Sequence, residues 1–238
     1  MRNVLITGAA NGVGCEIAKL LKAENLILVD IDEPKLKELA ATLKCSFYLC
    51  DVSKSQDIEN LKKYIVSNDI DLDTIINCAG FWSKGEISQL GDPHFYELNT
   101  LERIKKIIDT NTYGTIAVIT SLSPLLIKRG GGQIININSQ SGVVTEEFCP
   151  VYNASKHGSY YYRRAIQADL ARQNVKITDV CPGLIKTGFY ERANDTLPQQ
   201  IMQLGLEATD VASVVKYVFD LPQNITIPSI EIKNIKNY

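Results

Sequence analysis

The sequence lacks a long apolar run, an excess of charge of one sign and a secretion signal. Basic residues number 25 and acidic residues 27, which gives a formal net charge of -2 and leaves no basic face for nucleic acid. No stretch of about 18 apolar residues is present to cross a membrane. Met1 leads directly into the apolar segment at residues 4–6, without the small-residue cleavage site of a signal peptide. We therefore expect a cytoplasmic protein that binds neither nucleic acid nor membrane.

Cysteine and histidine are present, but not in the spacings that bind metal ions. No two of the six cysteines form a C-x-x-C pair, and the two histidines, His94 and His157, lie far from any cluster of possible ligands. A reduced cysteine in an apolar segment behaves as a small hydrophobic residue. We expect no metal site and no disulfide framework, as is usual in a reducing compartment.

Short β-branched runs alternate along the chain with longer segments of helical period. Strands are predicted near residues 4–7, 26–30, 46–49, 74–77, 133–137, 176–180 and 229–232. Helices are predicted near residues 12–22, 34–43, 55–66, 101–127, 152–172 and 209–220. Strands that are apolar on both faces, each followed by a helix, predict a doubly wound Rossmann-type α/β fold: about seven parallel strands with helices on both faces, in three layers.

No linker or repeat interrupts this alternation, so residues 1–238 are expected to form one Rossmann-type domain. Two segments, 81–98 and 188–205, carry aromatic and charged residues without a clear period. Such segments are typical of loops over a site. We expect the second of them to be a substrate lid.

A glycine-rich segment joins the first strand to the first helix. Gly8, Gly12 and Gly14 follow a G-x-x-x-G-x-G spacing, and Asn11 and Val13 lie between them. Glycine lets backbone N–H groups approach a diphosphate, which then lies at the positive end of the helix dipole. A tight strand-to-helix turn would need glycine as well, so the segment alone does not decide between a turn and a cofactor loop.

Asp30 ends the second strand, 22 residues after Gly8, and Ile31 follows it. This is the place of an acidic residue that accepts a hydrogen bond from the adenosine ribose of a dinucleotide. A carboxylate there would repel the 2′-phosphate of NADP, and no arginine follows to receive that phosphate. The sequence therefore predicts a preference for NAD(H).

Tyr152 and Lys156 are four residues apart and so lie on one face of a predicted helix. An ammonium group beside a phenol stabilises the phenolate and lowers its pKa from about 10, which makes the phenol useful for proton transfer. An ordinary surface pair has the same spacing. Ser139 ends the preceding strand at the edge where open sheets bind ligands, and its hydroxyl could hold a substrate oxygen beside Tyr152.

Together these motifs resemble those of the short-chain dehydrogenase/reductase family, in order and over nearly the whole chain. The matching segments are Thr7 to Gly14, Asn77-Cys78-Ala79-Gly80, Asn111, Ile135 to Ser139, Tyr152 to Lys156 and Pro182-Gly183-Leu184-Ile185-Lys186-Thr187. Cys78 and Asn138 replace residues that are more frequent in the family. Neither position is one on which the family's chemistry depends.

The resemblance implies a role for each matching residue. Tyr152 would exchange a proton with the substrate oxygen, Lys156 would lower the pKa of Tyr152 and hold the nicotinamide ribose, and Ser139 would polarise the carbonyl. Asn111 would anchor a water molecule in a proton relay. Further cofactor contacts implied by the family are Asp51, Val52, Asn77, Ala79, Gly80, Pro182, Gly183, Ile185 and Thr187.

The expected activity is NAD(H)-dependent interconversion of a secondary alcohol and a ketone, acting on a small molecule. The main alternative is an NADPH-dependent enzyme similar to 3-oxoacyl-acyl-carrier-protein reductases. Asp30 and the absence of a glycine-rich terminus disfavour it. A cofactor-binding regulator without catalysis is disfavoured by the intact set of catalytic residues.

Two further expectations concern the substrate and the assembly. Candidate substrate contacts are Phe81, Trp82, Lys84, Thr145, Glu146, Glu147, Phe148, Cys149, Phe189, Tyr190 and Arg192. An apolar stripe on the helix at 101–127 and the three tyrosines at 160–162 predict a homodimer or homotetramer, since the corresponding helices pair in relatives and exposed aromatic residues favour interfaces.

Overall fold

A seven-stranded parallel sheet forms the centre of the protein, in a computed structural model that describes residues 1–82, 100–145, 149–193 and 199–236. The strand order is β3-β2-β1-β4-β5-β6-β9, and β7 and β8 form a small second sheet. The strands are β1 Asn3–Thr7, β2 Asn25–Asp30, β3 Ser46–Leu49, β4 Thr74–Asn77, β5 Gly132–Ile137, β6 Val175–Pro182, β7 Ile185–Lys186, β8 Leu206–Glu207 and β9 Ser229–Ile232. The predicted Rossmann-type fold class is confirmed.

Helices cover both faces of the sheet. In the described part of the chain they are α1 Gly12–Leu20, α2 Glu33–Leu43, α3 Ser55–Ser67, α4 Leu101–Ile108, α5 Thr115–Arg129, α6 Pro150–Arg172, α7 Gln199–Met202 and α8 Ala208–Asp220. None of these helices has the length and apolar character needed to cross a bilayer.

Two hydrophobic cores lie on opposite faces of the sheet because successive side chains of a strand alternate between its faces. In β1, Leu5 packs into a core shared with α3, α5 and α6, whereas Val4 and Ile6 pack into a core shared with α1, α2 and α8. All three side chains are fully buried. The continuous apolar character of the strand sequences reflects this burial on both faces.

The predicted helix at 101–127 is not continuous, and that expectation is corrected here. α4 ends at Ile108, a π-helical turn covers Asp109–Gly114, and α5 continues to Arg129. The Thr115 hydroxyl donates to the Asn111 carbonyl oxygen at 3.0 Å, one of the local bonds that accompany the wider turn. Asn111 lies inside this turn, which places its side chain on the buried face of the helix.

The strand order reverses between β1 and β4, where the chain crosses from one half of the sheet to the other. Connections leave the two neighbouring strands in opposite directions at this point and open a crevice at their carboxyl ends. The glycine segment after β1 and residues 78–80 after β4 both begin at this crevice. The fold therefore places a ligand site at this edge.

Replacing Phe219 with alanine is expected to destabilise the protein strongly. Phe219 is the largest fully buried side chain, and it packs from α8 into one of the two cores. Loss of a buried phenyl ring typically lowers the free energy of unfolding by about 3–5 kcal/mol. The measurement is denaturant unfolding of Phe219→Ala against Tyr217→Ala. Tyr217, on the same helix, is 57% exposed, and its loss should change the free energy by no more than about 0.5 kcal/mol.

Candidate active site

One cavity of about 1120 Å³ runs along the carboxyl edge of the sheet, from Asp30 past the glycine segment to Tyr152. Most of the residues predicted to bind a cofactor line it. They are Gly8, Asn11, Gly12, Val13, Asp30, Ile31, Asp51, Val52, Ala79, Gly80, Tyr152, Lys156, Pro182, Gly183, Ile185 and Thr187. Ser139 also lines the cavity, whereas Gly14, Asn77 and Asn111 do not.

The glycine segment brings β1 and α1 closer together than other residues would allow. Gly8 and Gly12 have positive φ angles of 65° and 52°. A Cβ atom on Gly14 would lie 2.2 Å from the Gly8 carbonyl oxygen, and one on Gly8 would lie 2.7 Å from the Ala79 backbone nitrogen. This crowding explains the glycines at 8 and 14, and it leaves the start of α1 open to the cavity. A diphosphate group fits such a backbone cradle.

Asp30 is held at the far end of the cavity by backbone N–H groups. Its carboxylate accepts from Ala10 at 2.9 Å, from Ile31 at 2.7 Å and from Asp32 at 3.0 Å. These bonds fix the orientation of the carboxylate, which could accept a hydrogen bond from a ribose hydroxyl group. The helix cap of α2 is Asp32, whose side chain accepts from the Lys35 backbone at 3.4 Å.

Lys35 is a cation near this end of the cavity that the sequence reasoning did not consider. Its ammonium group lies 2.8 Å from Asn11 Oδ1 and 3.3 Å from the carboxylate of Asp32. Burial raises the pKa of Asp32, but hydrogen bonds from Asn11 and Lys35 outweigh it and the net pKa is lowered. Lys35 is therefore paired with a carboxylate in this structure.

Asp51 and Val52 form another wall of the same end. The Asp51 carboxylate accepts from the Ser53 backbone at 3.0 Å and from the Ser53 hydroxyl at 2.6 Å. Burial raises the pKa of Asp51, but the bonds from Ser53 and Lys54 outweigh this effect, so that the net pKa is below its usual value. This end of the cavity consequently carries several carboxylates.

Tyr152 and Lys156 lie together on the buried face of α6. They are 9% and 5% exposed, and the Lys156 ammonium lies 5.8 Å from the centre of the Tyr152 ring. The ammonium donates to the Ile137 carbonyl oxygen at 3.1 Å, which ties α6 to the end of β5. Burial lowers the pKa of Lys156 to about 8, against the opposing influence of nearby groups. Ser139, two residues beyond Ile137, accepts from the Ser141 backbone at 3.1 Å.

Asn111 lies behind the cavity and joins three parts of the structure. Its side-chain amide donates to the Phe81 carbonyl oxygen at 2.9 Å and to the Ser155 hydroxyl at 3.1 Å. Its side-chain oxygen accepts from the Phe81 backbone at 2.7 Å. The side chain is thus bonded to the segment after β4 and to α6, close to Lys156. Gly80 lies over it, and a Cβ atom there would be 3.9 Å from Lys156 Nζ.

Aromatic side chains form the end of the cavity next to Tyr152. The Trp82 ring centre lies 4.9 Å from that of Tyr152 and 5.1 Å from that of Tyr190. Phe189 lies 6.3 Å from Tyr152, and Cys149 is buried in the same cluster. Among the other predicted substrate contacts, Phe81 and Arg192 also line the cavity. Lys84, Glu146, Glu147 and Phe148 lie outside the described residues.

Some lining residues were missed by the sequence reasoning. They are Lys106, Thr110, Gln140, Ile201, Leu204 and Lys233. These residues come from separate helices and loops and carry no common motif, so the sequence contains no signal that unites them. Within the described part of the chain, no group of three or more histidine, cysteine, aspartate or glutamate side chains is arranged to hold a metal ion.

Known oxidoreductases are similar to this chain over nearly its whole length. Residues 2–198 match the family model described as short chain dehydrogenase. An uncharacterized oxidoreductase of Staphylococcus epidermidis is 27% identical over 235 residues, which cover 97% of this chain and 96% of the relative. An uncharacterized oxidoreductase of Staphylococcus aureus is 26% identical, with the same coverage of both chains.

Solved structures give the same result. A serine dehydrogenase complexed with NADP+, in its closed form, is 25% identical and has a TM-score of 0.89, covering 99% of this chain and 96% of that one. An alcohol dehydrogenase of the archaeon Thermococcus sibiricus, complexed with 5-hydroxy-NADP, shares the fold with a TM-score of 0.86 at 20% identity, covering 100% and 98% of the two chains. This chain therefore belongs to the short chain dehydrogenase family and is an NAD(P)-binding oxidoreductase.

Proposed function

We propose that this protein interconverts a secondary alcohol and a ketone with NAD(H) as its preferred cofactor. The observation that carries the proposal is the pairing of a buried Lys156 ammonium with Tyr152 at one end of a cavity whose other end is closed by the Asp30 carboxylate. The Lys156–Tyr152 pair suits proton transfer at a substrate oxygen. The carboxylate suits a ribose hydroxyl group.

The proton step belongs to Tyr152. In ketone reduction its hydroxyl group would give a proton to the substrate oxygen, and in alcohol oxidation the phenolate would take that proton back. A nearby ammonium charge on Lys156 would stabilise the phenolate form of Tyr152. The bound dinucleotide would supply the redox chemistry by exchanging a hydride with the substrate carbon.

Ser139 and Lys156 would position the reacting groups. The Ser139 hydroxyl, at the end of β5, could donate to the substrate oxygen and stabilise its developing charge. Lys156 is held by Ile137 at 3.1 Å and by the face of α6, from which it could also reach a cofactor ribose. Asn111 would support the relay of protons to Lys156, since it is bonded to both Ser155 and the Phe81 backbone.

The proposed cofactor preference depends on charge at the adenosine end of the cavity. Asp30 and Asp51 line this end, and the nearby Lys35 is engaged by Asp32. A 2′-phosphate would meet this negative field, whereas a ribose hydroxyl could donate to Asp30. The similar serine dehydrogenase was solved with NADP+, so the preference of this chain is proposed from its own residues.

Residues 1–238 are proposed to act as one cofactor-binding domain, with the segment at 188–205 as the lid over a small-molecule substrate. Phe189 and Tyr190, at the start of that segment, pack with Trp82 beside Tyr152. Substrate selection would then depend on this aromatic wall. The six cysteines are all free thiols, which fits the reducing cytoplasm, where we place the protein.

A homodimer or homotetramer is proposed from the outer faces of α4 to α6. Part of the apolar stripe predicted there is buried, since Val118 and Leu122 pack into the core. Leu101 and Tyr161 remain 86% and 58% exposed, and Tyr161 packs on Tyr160 at 5.8 Å between ring centres. Exposed leucine and tyrosine side chains on neighbouring helices are typical of interfaces.

Tyr152→Phe is expected to lower kcat/KM by about 10²–10⁴-fold, because the hydroxyl group that transfers the proton is lost. The measurement is steady-state kinetics on the best substrate of a screen with NAD+ and NADH. Tyr161→Phe, an exposed position of the same helix, is the matched control and should retain full activity. Activity of Tyr152→Phe within tenfold of the unmodified protein would refute the assignment.

Asp30→Asn is expected to lower the ratio of kcat/KM for NADH over NADPH by at least about tenfold, which corresponds to about 1.4 kcal/mol of lost charge repulsion. The unmodified protein should prefer NADH. Asp71→Asn is the control, since Asp71 lies before β4 at the opposite edge of the sheet and is exposed. A clear NADPH preference of the unmodified protein would instead favour the reductase similar to 3-oxoacyl-acyl-carrier-protein reductases.

Light scattering at micromolar concentration is expected to give at least twice the chain mass of 26.4 kDa. Tyr161→Glu with Leu101→Glu should shift the protein to monomers, because charge on the proposed interface opposes association. Val66→Glu, an exposed apolar position of α3, is the control and should leave the mass unchanged. A monomeric unmodified protein would contradict the proposed assembly.

A further inference from the structure

Three polar side chains form a buried row beneath the floor of the cavity. Asn77, Asn136 and Asp179 lie in register on the neighbouring strands β4, β5 and β6. The Asn77 amide donates to Asn136 at 2.9 Å, and the Asn136 amide donates to Asp179 at 2.8 Å. The row lies on the face of the sheet that packs against α6, at the last residue of β4, one residue before the end of β5 and three residues before the end of β6.

Arg163 completes the polar row from α6. Its Nε atom donates to the other carboxylate oxygen of Asp179 at 3.1 Å, and its NH1 donates to Gln167 at 2.6 Å. The Asp179 and Arg163 side chains are 0% and 3% exposed. A buried ion pair has a large desolvation cost, and replacing one with apolar residues is often neutral or stabilising. A contribution to folding stability alone therefore does not explain why Asp179 and Arg163 are charged residues.

The Asp179–Arg163 ion pair is connected to Lys156 through α6 and β5. Arg163 follows Lys156 by seven residues, which places both side chains on the same face of α6, about 10 Å apart along its axis. Lys156 is bonded to Ile137, the residue after Asn136 on β5. Asn136 therefore links the two groups: its side chain bonds Asp179, and the next residue of β5 bonds the Lys156 ammonium.

The groups that face Lys156 differ in charge at neutral pH. Tyr152 faces it from α6, Cys78 from the segment after β4, and Cys181 and Asp179 from β6. Burial raises the pKa of both cysteine thiols to about 12, so both are uncharged. Burial raises the net pKa of Asp179 above its usual value, and the bonds from Asn136 and Arg163 limit that rise. Among these groups Asp179 is the one paired with a buried cation, Arg163 at 3.1 Å, and that pairing favours its charged form.

We propose that Asp179 is a positioning residue of the proton-transfer pair, which, held ionised by Arg163 and Asn136, keeps Lys156 an ammonium ion beside Tyr152. The proposal rests on the function proposed above and extends it to two residues that do not line the cavity. It explains why a cation and an anion are both buried under the site. Arg163 keeps the carboxylate ionised, and the carboxylate offsets the burial of Lys156.

The test is an NMR titration of the isotope-labelled Lys156 Cε in the protein without substrate, assigned with Lys156→Arg. In the double variant Arg163→Met with Asp179→Asn, the midpoint near pH 8 is expected to fall by about one pH unit, because Lys156 loses its negative neighbour. The alkaline limb of the ketone-reduction pH profile should move in the same direction. An unmoved midpoint overturns the proposal, even where kcat/KM falls uniformly.

Two controls separate the charge from the packing. Asp169→Asn with Arg172→Met removes an exposed ion pair from the same helix and should leave the midpoint unchanged. Arg163→Lys keeps the cation and should keep the native midpoint while lowering the melting temperature. A shift of the midpoint in Arg163→Lys equal to that of the double variant would contradict the proposal.

A second variant covers the case in which the first does not fold. Arg163→Met with Asp179→Leu removes both charges and places an apolar pair on the face of the sheet that packs against α6, and it should give the same fall of the midpoint. The NMR titration needs neither substrate nor cofactor. Failure of the proposed function in the Tyr152→Phe experiment is therefore distinguishable from failure of this inference.

Discussion

The burial of Lys156 is the constraint on which the arrangement of this site depends. An ammonium group that is 5% exposed would lose its proton readily, and its pKa is lowered to about 8. Yet the role proposed for Lys156, stabilising the phenolate of Tyr152, requires its positive charge. Two groups of the strands favour the charged form of Lys156. The Ile137 carbonyl oxygen accepts a hydrogen bond from the ammonium, and the Asp179 carboxylate acts to raise its pKa. The sheet is therefore an electrostatic support as well as a scaffold.

Charge is also distributed along the length of the cavity. Asp30, Asp32 and Asp51 lie at the end formed by β2 and β3, whereas the Lys156 cation lies at the end formed by β4, β5 and α6. A dinucleotide bound along the edge would place its adenosine among the carboxylates and its reactive ring beside the cation. The diphosphate would lie between them at the start of α1, where the helix dipole favours an anion.

The sequence predicts those parts of the molecule whose residues lie close together along the chain. The glycines at 8, 12 and 14 and the Tyr152–Lys156 pair each act within one turn or one helix, so their spacing alone places them. Alternation of strands and helices was sufficient for the fold class. The residues themselves also suggested Asp30 as the acid at the end of the second strand.

The parts that could not be predicted depend on register between distant segments. Asp179 meets Arg163 only because β6 packs beneath α6, and it meets Asn136 because those strands align at that residue. The π-helical turn around Asn111 and the pairing of Lys35 with Asp32 likewise depend on contacts that no local pattern encodes. The turn at Asp109–Gly114 is mostly polar, and its composition does not distinguish a π-helical turn from an α-helix.

The bonds of Asn111 have a consequence for how this enzyme can diversify. Asn111 holds both the backbone N–H and the carbonyl oxygen of Phe81, and it is anchored in turn on Ser155 of α6. Trp82 therefore follows a clamped residue. Because the Trp82 ring packs on that of Tyr152 at 4.9 Å between ring centres, a change of Trp82 would also disturb the proton-transfer pair. Substrate selection and proton transfer are therefore mechanically linked at this residue.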